Sequence, residues 1–515
     1  MHEATKAPKI SFYDYIVIGG GTSGIPLATT LSANYSILLL ERGGSPYANP
    51  SITHIKNFGS YFTDTSPTSP VQQFVADGVL NARPRVLGGG TSVNAGFYSR
   101  GESKFNQEAR LTDESLVHKS YQWIENVMVF KPQDSNWQSA LHAGLVEAGV
   151  TPDNGFSYDH IIGTKVAGSL FDEHGTRHTS ADLLQYANPK RLTVFLQATV
   201  GKILFKTKSG TGSSRPLAYG VVFEDSMRNK HMAYLKGGEK DEIILSAGAL
   251  GSPQLLVLSG IGPKEQLDAH KISVVLEQPL VGKGMKDNPL NIVFVPSPIA
   301  VEQSPVQVVG ITRFGSYIEG TAAFNLISAD ISAYQGFSPL MGGFIIEKTD
   351  GPASMGELRI KNVNPADNPS VTFNYFKEPE DLQKCVNGFE TILKTIESKA
   401  FSNFKCANMT VKDILDLNMK LPMNLRARAN THYLSPEQYC LDTVRTIYHY
   451  HGGCQIENVV DSEYKVFGAD ALRVIDGSTL LNSPGTNPQA SLLMLGRYMG
   501  VTMLGQRLAS EKRKN

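Results

Sequence analysis

Residues 14–24 read Asp-Tyr-Ile-Val-Ile-Gly-Gly-Gly-Thr-Ser-Gly, an apolar run that stops at a set of glycines. The glycines follow the spacing Gly-x-Gly-x-x-Gly at Gly19, Gly21 and Gly24. A helical stretch comes next, and a second apolar run then ends in Glu41, about 20 residues after the first glycine of the motif. Strand, glycines, helix, strand and acid in this order predict a βαβ unit that binds a dinucleotide.

The chemistry of the ligand explains the residue type at each position. Gly19 permits a tight turn, Gly21 lets the backbone approach a pyrophosphate, and Gly24 lets the helix pack on the strand. The pyrophosphate would lie at the N-terminus of the helix, where free N–H groups and the helix dipole favour negative charge. Glu41 would accept hydrogen bonds from a ribose diol. The motif does not distinguish NAD from FAD, and a glycine-rich turn without a ligand has the same spacing.

The composition restricts the class of protein. Of 515 residues, 41% are hydrophobic, enough for two or more cores because a single core stops growing near about 250–300 residues. Lys plus Arg and Asp plus Glu each number 48, so no overall positive field attracts nucleic acid or anionic lipid. No apolar run approaches the roughly 18 residues of a transmembrane helix. We therefore expect a soluble globular protein with no nucleic-acid partner and no membrane span.

Further blocks follow the opening motif along the chain. They read Arg-Pro-Arg-Val-Leu-Gly-Gly-Gly-Thr-Ser-Val-Asn-Ala-Gly-Phe-Tyr-Ser-Arg at 83–100, Ser-Ala-Gly-Ala-Leu-Gly-Ser-Pro-Gln-Leu-Leu-Val-Leu-Ser-Gly-Ile-Gly-Pro at 246–263, His-Tyr-His-Gly-Gly-Cys at 449–454, Leu-Arg-Val-Ile-Asp-Gly-Ser at 472–478, Asn-Pro-Gln-Ala at 487–490 and Leu-Gly-Arg-Tyr-Met-Gly at 495–500. In this order, over nearly the full chain, they resemble the glucose–methanol–choline (GMC) family of FAD flavoproteins. The resemblance is strongest to its plant branch, which contains HOTHEAD-like dehydrogenases and mandelonitrile (hydroxynitrile) lyases.

The resemblance implies a bound FAD, with its isoalloxazine ring between two domains. Some family members link FAD covalently through a His in the block where this chain has Val-Asn-Ala at 93–95, so noncovalent FAD is expected here. Carried over residue by residue, the implied cofactor-binding positions are Gly19, Gly21, Thr22, Ser23, Gly24, Glu41, Arg42, Val86, Asn94, Ala95, Gly96, Phe97, Val200, Asp476, Gly477, Pro488 and Gln489.

Two positions near the C-terminus match the catalytic pair of the family. Alcohol oxidation by a flavin needs a base for the hydroxyl proton, and His suits this role because its ordinary pKa is about 6.5. His451, directly before two glycines, is predicted to be that base, and Asn487 is predicted to orient the substrate oxygen. His449 is expected to support the base from the same face of an extended segment. Tyr448 and Tyr450 either line the substrate cavity or pack beside a core strand.

The predicted activity is FAD-dependent oxidation of an aromatic or apolar alcohol to a carbonyl, by proton abstraction and hydride transfer to flavin N5. One alternative is a hydroxynitrile lyase of the mandelonitrile type with non-redox FAD. The lyases of this branch carry His at both catalytic positions, and Asn487 departs from that pattern. A second alternative is recruitment of the scaffold to an unusual desaturation or cyclisation of a specialised metabolite.

The predicted fold mixes α/β and α+β architecture in two interleaved domains. A Rossmann-like FAD-binding domain takes residues 10–105, 165–290 and 455–515. A substrate-binding domain built on an antiparallel sheet with helices takes residues 106–164 and 291–454. Two stretches lack a clear pattern: residues 209–217 are interpreted as a polar loop, and residues 295–345, which help to wall the cavity in the family, show no clear periodicity.

The cysteines and sequons bear on the compartment. Cys385 and Cys440 match the pair that forms a disulfide in the plant lyases, and the four cysteines show no zinc-binding pattern, so no metal is expected. Asn34 and Asn408 begin N-glycosylation sequons. These features together favour the secretory pathway or an extracellular location. The N-terminus lacks the pattern of a signal peptide, which is consistent with a mature form. The sequence does not fix the oligomeric state, and a monomer is the expectation.

Overall fold

The computed structural model describes residues 1–47, 49–207, 215–324 and 341–514. Over these ranges the α-helices are α1 Gly24–Leu31, α2 Pro50–Thr53, α3 Gly90–Val93, α4 Ser103–Glu108, α5 Glu114–Met128, α6 Asn136–Glu147, α7 Gly248–Leu258, α8 Lys264–Ala269, α9 Pro379–Glu397, α10 Val411–Lys420, α11 Pro436–Thr443 and α12 Gln489–Lys514. Short 3-10 helices lie at Ala4–Lys6, Ile55–Asn57, Ser60–Thr63, Ser180–Tyr186, Ser402–Phe404 and Gly477–Thr479.

The strands of the same ranges are β1 His2–Glu3, β2 Ile10–Tyr13, β3 Tyr15–Ile18, β4 Ile37–Leu40, β5 Val71–Ala76, β6 Val79–Pro84, β7 Phe97–Tyr98, β8 Asp153–Phe156, β9 Gly163–Val166, β10 Gly168–Ser169, β11 Leu192–Leu196, β12 Thr199–Thr207, β13 Pro216–Glu224, β14 Lys230–Leu235, β15 Glu242–Leu245, β16 Ile261–Gly262, β17 Leu276–Glu277, β18 Lys283–Met285, β19 Pro289–Pro296, β20 Val308–Ile311, β21 Ser316–Ala322, β22 Gly342–Thr349, β23 Gly356–Arg359, β24 Ser370–Val371, β25 Arg445–Thr446 and β26 Leu472–Val474.

A parallel sheet carries the opening motif. Among the described residues it has six strands in the order β1, β11, β4, β3, β15, β26, and all of their pairings are parallel. Strands β3 and β4 are buried along their whole length, as expected for parallel strands covered on both faces. Helix α1 follows β3 and packs beside α12, near the C-terminal end of the chain. The predicted Rossmann-like unit is confirmed.

A second large sheet is mainly antiparallel. Its described strands run in the order β25, β19, β22, β21, β20, β9, β8, and only the β8–β9 pairing is parallel. Helix α9 packs on β21 and β22, and α6 packs on β20. These helices bury an apolar stripe against one face of the sheet, which leaves the other face free to form a cavity wall. The predicted antiparallel sheet with helices is confirmed.

The chain passes between the two sheets more than once. Strands of the parallel sheet lie within residues 2–40, 192–196, 242–245 and 472–474, and those of the antiparallel sheet lie within residues 153–166, 289–349 and 445–446. The strands of the two sheets thus alternate along the chain in the order predicted for the two domains. The individual domain boundaries stay predictions. The stretch 295–345 contains regular strands in spite of its weak periodicity. Residues 325–340 of that stretch, and 209–214 of the predicted polar loop, lie outside the described residues.

Cys385 in α9 and Cys440 in α11 form a disulfide, the predicted pair. Cys454 is buried and Cys406 is half-buried, and both are free thiols. In the described ranges, no helix is both long and apolar enough to cross a membrane. The same ranges contain no cluster of His, Cys, Asp and Glu that could hold a metal ion.

Candidate active site

A cavity of about 900 Å³ is lined by residues of both large sheets and their connecting segments. Its volume lies within the roughly 300–1,000 Å³ that is usual for ligand and cofactor sites. The sequence-predicted residues in its lining are Gly19, Gly21, Thr22, Ser23, Glu41, Arg42, Val86, Asn94, Ala95, Gly96, Phe97, Val200, Tyr448, His449, Tyr450, Asp476, Gly477, Asn487, Pro488 and Gln489. Two predicted residues, Gly24 and His451, are not part of the lining.

The opening motif forms one end of this cavity. Gly19 has φ of +105°, and a Cβ atom there would lie 2.2 Å from the Ser246 carbonyl oxygen. A Cβ atom on Gly24 would lie 2.1 Å from the Gly19 carbonyl oxygen. Gly24 was predicted to bind the cofactor, but it lies beneath the start of α1, where it allows the helix to pack against the turn. Its contribution to the site is therefore indirect.

A second glycine turn, at the start of α3, faces the first. A Cβ atom on Gly89 would lie 2.8 Å from the Gly21 Cα atom, so the two turns can approach this closely because residue 89 is a glycine. The Ser23 hydroxyl oxygen is buried at this end of the cavity and has no hydrogen-bond partner among the described residues. A cradle of backbone with an unpaired hydroxyl at the start of a helix fits a pyrophosphate.

Glu41 is buried beside the same turn. Its Oε2 accepts a hydrogen bond from the Gly20 N–H at 2.9 Å, and its Oε1 accepts one from the Gly43 N–H at 2.7 Å. Burial raises the pKa of this carboxyl, and the two backbone donors oppose that change. Each carboxylate oxygen keeps a further lone pair, so the geometry suits the predicted contact with a ribose diol.

The blocks from the middle and the end of the chain meet at the other side of the cavity. The Asn94 Nδ2 atom donates to the Gln489 Oε1 atom at 2.7 Å, and the Gln489 side chain donates to the Phe97 carbonyl oxygen. Asp476 accepts from the Gly248 N–H at 2.8 Å and from the Ser252 hydroxyl at 2.5 Å. Four separate blocks of sequence are thus held together around the cavity, and the lining fits FAD along its length.

The two histidines of the His-Tyr-His block occupy different places. His449 lines the cavity and His451 does not. The His451 Nδ1 atom lies 2.9 Å from the His449 carbonyl oxygen, and its Nε2 atom is buried without a partner among the described residues. Tyr448 has φ of +62°, and backbone pairing with Lys286 begins only at His451, so this segment is not a regular strand. Of the two, His449 is therefore the one placed to touch a ligand in the cavity, while the assignment of the base and of its support stays a prediction.

Both imidazoles are neutral at ordinary pH. Burial lowers the pKa of His449 well below 6.5, and the Lys348 ammonium and His451 lower it further. Burial also lowers the pKa of His451, to about 4. The His449 Nδ1 atom is buried and has no partner in the described part of the chain. His449 is therefore an unprotonated imidazole at the cavity, the form that can accept a proton.

Asp287 fixes the backbone of His449. Its Oδ1 accepts from the His449 N–H at 3.0 Å, and its Oδ2 accepts from Thr446 Oγ1 at 2.6 Å and from the Tyr375 hydroxyl at 2.5 Å. Burial raises the pKa of Asp287 to about 6, and these three donors oppose the rise. The sequence analysis missed Asp287. Its only signal was an acid immediately before an apolar strand, and its partners lie about 90 and 160 residues away.

The antiparallel sheet forms the wall opposite the cofactor-binding turns. In β19, β21 and β22 the residues that line the cavity alternate with those that pack on the helices. Leu290, Ile292 and Ile346 make this wall apolar, and Glu319 is the buried carboxyl among them. Besides Phe97, three phenylalanines line the cavity: Phe58, Phe62 and Phe324. Phe62 stacks on Tyr448 with ring centres 5.1 Å apart.

Asn487 is flanked by charged side chains that the sequence analysis did not identify. The Lys348 ammonium donates to Asn487 Oδ1 at 3.5 Å, and it lies 3.9 Å from the centre of the Tyr317 ring. Lys348 and Glu319 are both almost completely buried. Burial raises the pKa of Glu319, while Lys348 and Asn487 oppose that rise. A charged residue on the apolar face of a strand is the signal that could have indicated them.

Comparison with known proteins agrees with this site. The family models for GMC oxidoreductase match residues 13–290 and 352–496. The chain is 48% identical to Protein HOTHEAD of Arabidopsis thaliana, over 97% of this chain and 89% of the relative. It is 42% identical to a sinapyl alcohol oxidase of Nesocodon mauritianus, over 99% and 92% respectively. It is 39% identical to (R)-mandelonitrile lyase 3 of Prunus serotina, over 99% and 89%.

Solved structures show the same fold at low sequence identity. A formate oxidase superposes with a TM-score of 0.77 at 18% identity, covering 97% of this chain and 99% of the other. A pyridoxine 4-oxidase superposes with a TM-score of 0.74 at 18% identity, covering 95% and 98%. The two family matches and the plant relatives lead to one conclusion: the chain belongs to the GMC oxidoreductase family of FAD-dependent enzymes.

Proposed function

We propose that the protein oxidises an alcohol with an aromatic or apolar body to the corresponding carbonyl compound. The bound flavin supplies the acceptor for the hydride that leaves the carbinol carbon. One observation carries the proposal: His449 and Asn487 line the same cavity as the cofactor-binding residues and an apolar wall.

His449, in place of His451, acts as the base. Its imidazole is unprotonated because burial and the Lys348 ammonium lower its pKa. It can take the hydroxyl proton of a substrate in the cavity, a contribution that is typically worth about 10²–10⁴ in rate. Asp287 holds the His449 backbone, so the ring keeps a fixed place relative to the cavity. His451 supports this segment through the contact between its Nδ1 atom and the His449 carbonyl oxygen.

Asn487 holds the substrate oxygen. A carboxamide donates a hydrogen bond at any pH but cannot take the hydroxyl proton. It therefore complements His449, which removes the proton, by stabilising the negative charge that develops on the oxygen.

The cavity wall and a relative point to the same class of alcohol. Leu290, Ile292 and Ile346 offer apolar surface, and Phe58, Phe62 and Phe324 offer aromatic rings. The relative from Nesocodon mauritianus is named for sinapyl alcohol, an aromatic alcohol. Aromatic alcohols are therefore the first substrates to test.

A second candidate is cleavage of a cyanohydrin with non-redox FAD. His449 would remove the hydroxyl proton, and the expelled cyanide would be favoured by a nearby cation. The buried Lys348 ammonium, which acts on both His449 and Asn487, is the observation that supports this candidate. Several plant relatives are named (R)-mandelonitrile lyases.

One anaerobic experiment separates these reactions. The yellow holoprotein is mixed with benzyl alcohol, sinapyl alcohol or mandelonitrile, and flavin absorbance and free cyanide are followed. Bleaching by an alcohol is the expected result. Cyanide release without bleaching would establish the lyase instead. Holoprotein that bleaches with none of a broad panel of alcohols would overturn the proposal and leave desaturation or cyclisation of a metabolite as the prediction to pursue.

We also propose that the protein enters the secretory pathway. The Cys385–Cys440 disulfide is typical of an oxidising compartment, and the sequon residues Asn34 and Asn408 are exposed. Protein isolated from its native tissue should lose mass on treatment with a glycan-removing amidase. Unmodified asparagines together with reduced Cys385 and Cys440 in that material would contradict the proposal.

A further inference from the structure

Lys348 is an unusual residue for the inside of a protein. Its side chain is completely buried in β22, and it follows the apolar residue Ile346 on the cavity face of the same strand. Burying an ammonium group costs free energy unless the group meets compensating partners. Its direct contacts here are Asn487 Oδ1, at 3.5 Å, and the face of the Tyr317 ring, at 3.9 Å. Burial lowers the pKa of its ammonium, and nearby carboxyls, that of Glu319 first, oppose this change and favour the charged form. The buried cation is thus directed at the amide that the proposed function assigns to the substrate oxygen.

Glu319 faces the same amide from the neighbouring strand. Residue 319 pairs with 346 across the β21–β22 ladder, one alternation away from the pair formed by Tyr317 and Lys348. Glu319 is 1% exposed, lines the cavity, and has an Oε1 atom without a partner among the described residues. Both residues line the same cavity, and Asn487 opposes the rise that burial causes in the pKa of the Glu319 carboxyl.

The chemistry of these neighbours determines which way the amide turns. A lysine ammonium has three donors and no acceptor, so it can meet only the oxygen end of the amide. A carboxyl oxygen accepts, so it suits the nitrogen end. The reverse orientation would put the amide NH₂ against the ammonium and the amide oxygen against the carboxyl oxygen. When Oδ1 faces Lys348, the two N–H groups of Nδ2 can donate to Glu319 and to a substrate oxygen in the cavity.

We propose that Lys348 and Glu319 are positioning residues for Asn487, and that they hold its amide with the N–H donors toward the cavity. The inference rests on the proposed function for the contact between Asn487 and the substrate oxygen. These two residues explain why the Asn487 carboxamide, which has an acceptor as well as donors, presents only its donors to the cavity. Asn487 thereby favours a substrate oxygen that gains negative charge during the reaction.

A double-mutant cycle tests this role. Lys348→Met removes the ammonium and keeps the length of the chain, and Asn487→Ala removes the amide. The readout is the anaerobic rate constant of flavin reduction by benzyl alcohol at about pH 8, where His449 is unprotonated. We expect Asn487→Ala to lower this rate constant about 10²-fold and Lys348→Met to lower it about 10-fold. Because Lys348 acts through Asn487, the double variant should stay within about twofold of Asn487→Ala.

Lys165 provides the matched control. It is also completely buried and lies in β9 of the same sheet, where its Nζ atom donates to the Ser99 hydroxyl at 2.9 Å and to the Ser157 carbonyl oxygen at 3.1 Å. Loss of a buried lysine side chain is common to Lys165→Met and Lys348→Met, but the contact with Asn487 belongs to Lys348 alone. Any effect of Lys165→Met should multiply with that of Asn487→Ala. Equal behaviour of the two lysine variants would show that Lys348 is merely structural.

A binding readout keeps the test independent of turnover. Benzoate, an oxygen ligand that is not oxidised, is titrated into the four holoproteins of the cycle, and its dissociation constant is read from the shift of flavin absorbance. The same coupling is expected. If no alcohol reduces the wild-type flavin, the proposed function fails, and the benzoate cycle still decides the role of Lys348.

Two further outcomes would overturn the inference. Independent, multiplying effects of Lys348→Met and Asn487→Ala would mean that Lys348 acts through its charge on His449 and not through the amide. An unchanged rate in Lys348→Met would mean that the contact has no role. If Lys348→Met does not fold, Glu319→Leu, which removes the acceptor at the other end of the amide, enters the same cycle with the same expectation of coupling.

Discussion

The two walls of the cavity are built by different means. On the cofactor side, backbone turns form the wall, and glycines such as Gly21 and Gly89 keep it open. On the opposite side, the face of the antiparallel sheet forms the wall, and its character comes from side chains such as Ile292, Ile346 and Glu319. The first wall offers backbone to a ligand, and at Gly19 and Gly89 it has no room for a Cβ atom. The second accepts changes of side chain, because the strands hold the surface in place.

The difference shows where such a protein can change its substrate. A turn that touches another turn cannot gain even a methyl group without moving backbone, whereas a strand residue can be exchanged while the ladder is preserved. Cofactor choice is therefore fixed by the first wall, and substrate choice is adjustable in the second. Three sets of substitutions and one pH series test this division, beginning with the change expected to have the largest effect.

Gly24→Ala should abolish cofactor retention. The new Cβ atom would lie 2.1 Å from the Gly19 carbonyl oxygen, so the first turn and α1 must separate. We expect less than about one-tenth of the wild-type FAD per chain, measured from flavin absorbance of the purified protein. Gly505→Ala in α12 is the matched control, because a Cβ atom there has no neighbour within 4 Å. Full FAD content in Gly24→Ala would show that the turn is adaptable.

His449→Ala should reduce the anaerobic rate of flavin reduction about 10²–10⁴-fold, because it removes the proposed base. His451→Ala should lower that rate less than about 10-fold, since its ring is not part of the cavity lining. FAD content is measured in both variants to separate catalysis from folding. A deeper loss in His451→Ala, with FAD retained, would return the catalytic role to His451.

Removal of the disulfide should change stability and leave the flavin spectrum unaltered. The Cys385→Ala, Cys440→Ala double variant loses the link between α9 and α11, which lie behind the substrate wall. We expect the free energy of unfolding to fall by about 2–5 kcal/mol, seen as a melting temperature several degrees lower. Cys406→Ala, at a free half-buried thiol, should melt like the wild type. Equal melting temperatures for all three proteins would contradict the prediction.

The smallest effect is expected from pH. The base works when His449 is unprotonated, and its pKa lies well below 6.5, so protonation inhibits only in acid. The rate constant of flavin reduction should change less than about twofold between roughly pH 6.5 and 8, and should fall on the acid side of this range. Stopped-flow measurement across the range checks this. An inflection above pH 7 that disappears in His449→Ala would show that the cofactor and substrate raise the pKa of His449.

The wall made of turns could be predicted from the sequence, because each of its functions needs a residue type at a fixed local spacing. Gly19, Gly21 and Glu41 were predicted in this way, and they line the cavity together. The wall made of strands could not, because Glu319 and Lys348 meet Asn487 only through pairing of distant segments. The different placement of His449 and His451 has the same origin. Residues two apart point the same way only in a regular strand, and here a single isolated bridge joins His451 to Lys286.

The cavity draws its lining from Ile18 through to Leu492, and the Asn94 side chain is tied to Gln489 at the start of the last helix. A nascent chain therefore exposes its glycine motif early in synthesis but cannot enclose a nucleotide until residues 487–492 have left the ribosome and α12 has packed beside α1. A nucleotide that binds only the enclosed cavity then stabilises the arrangement that these late segments complete.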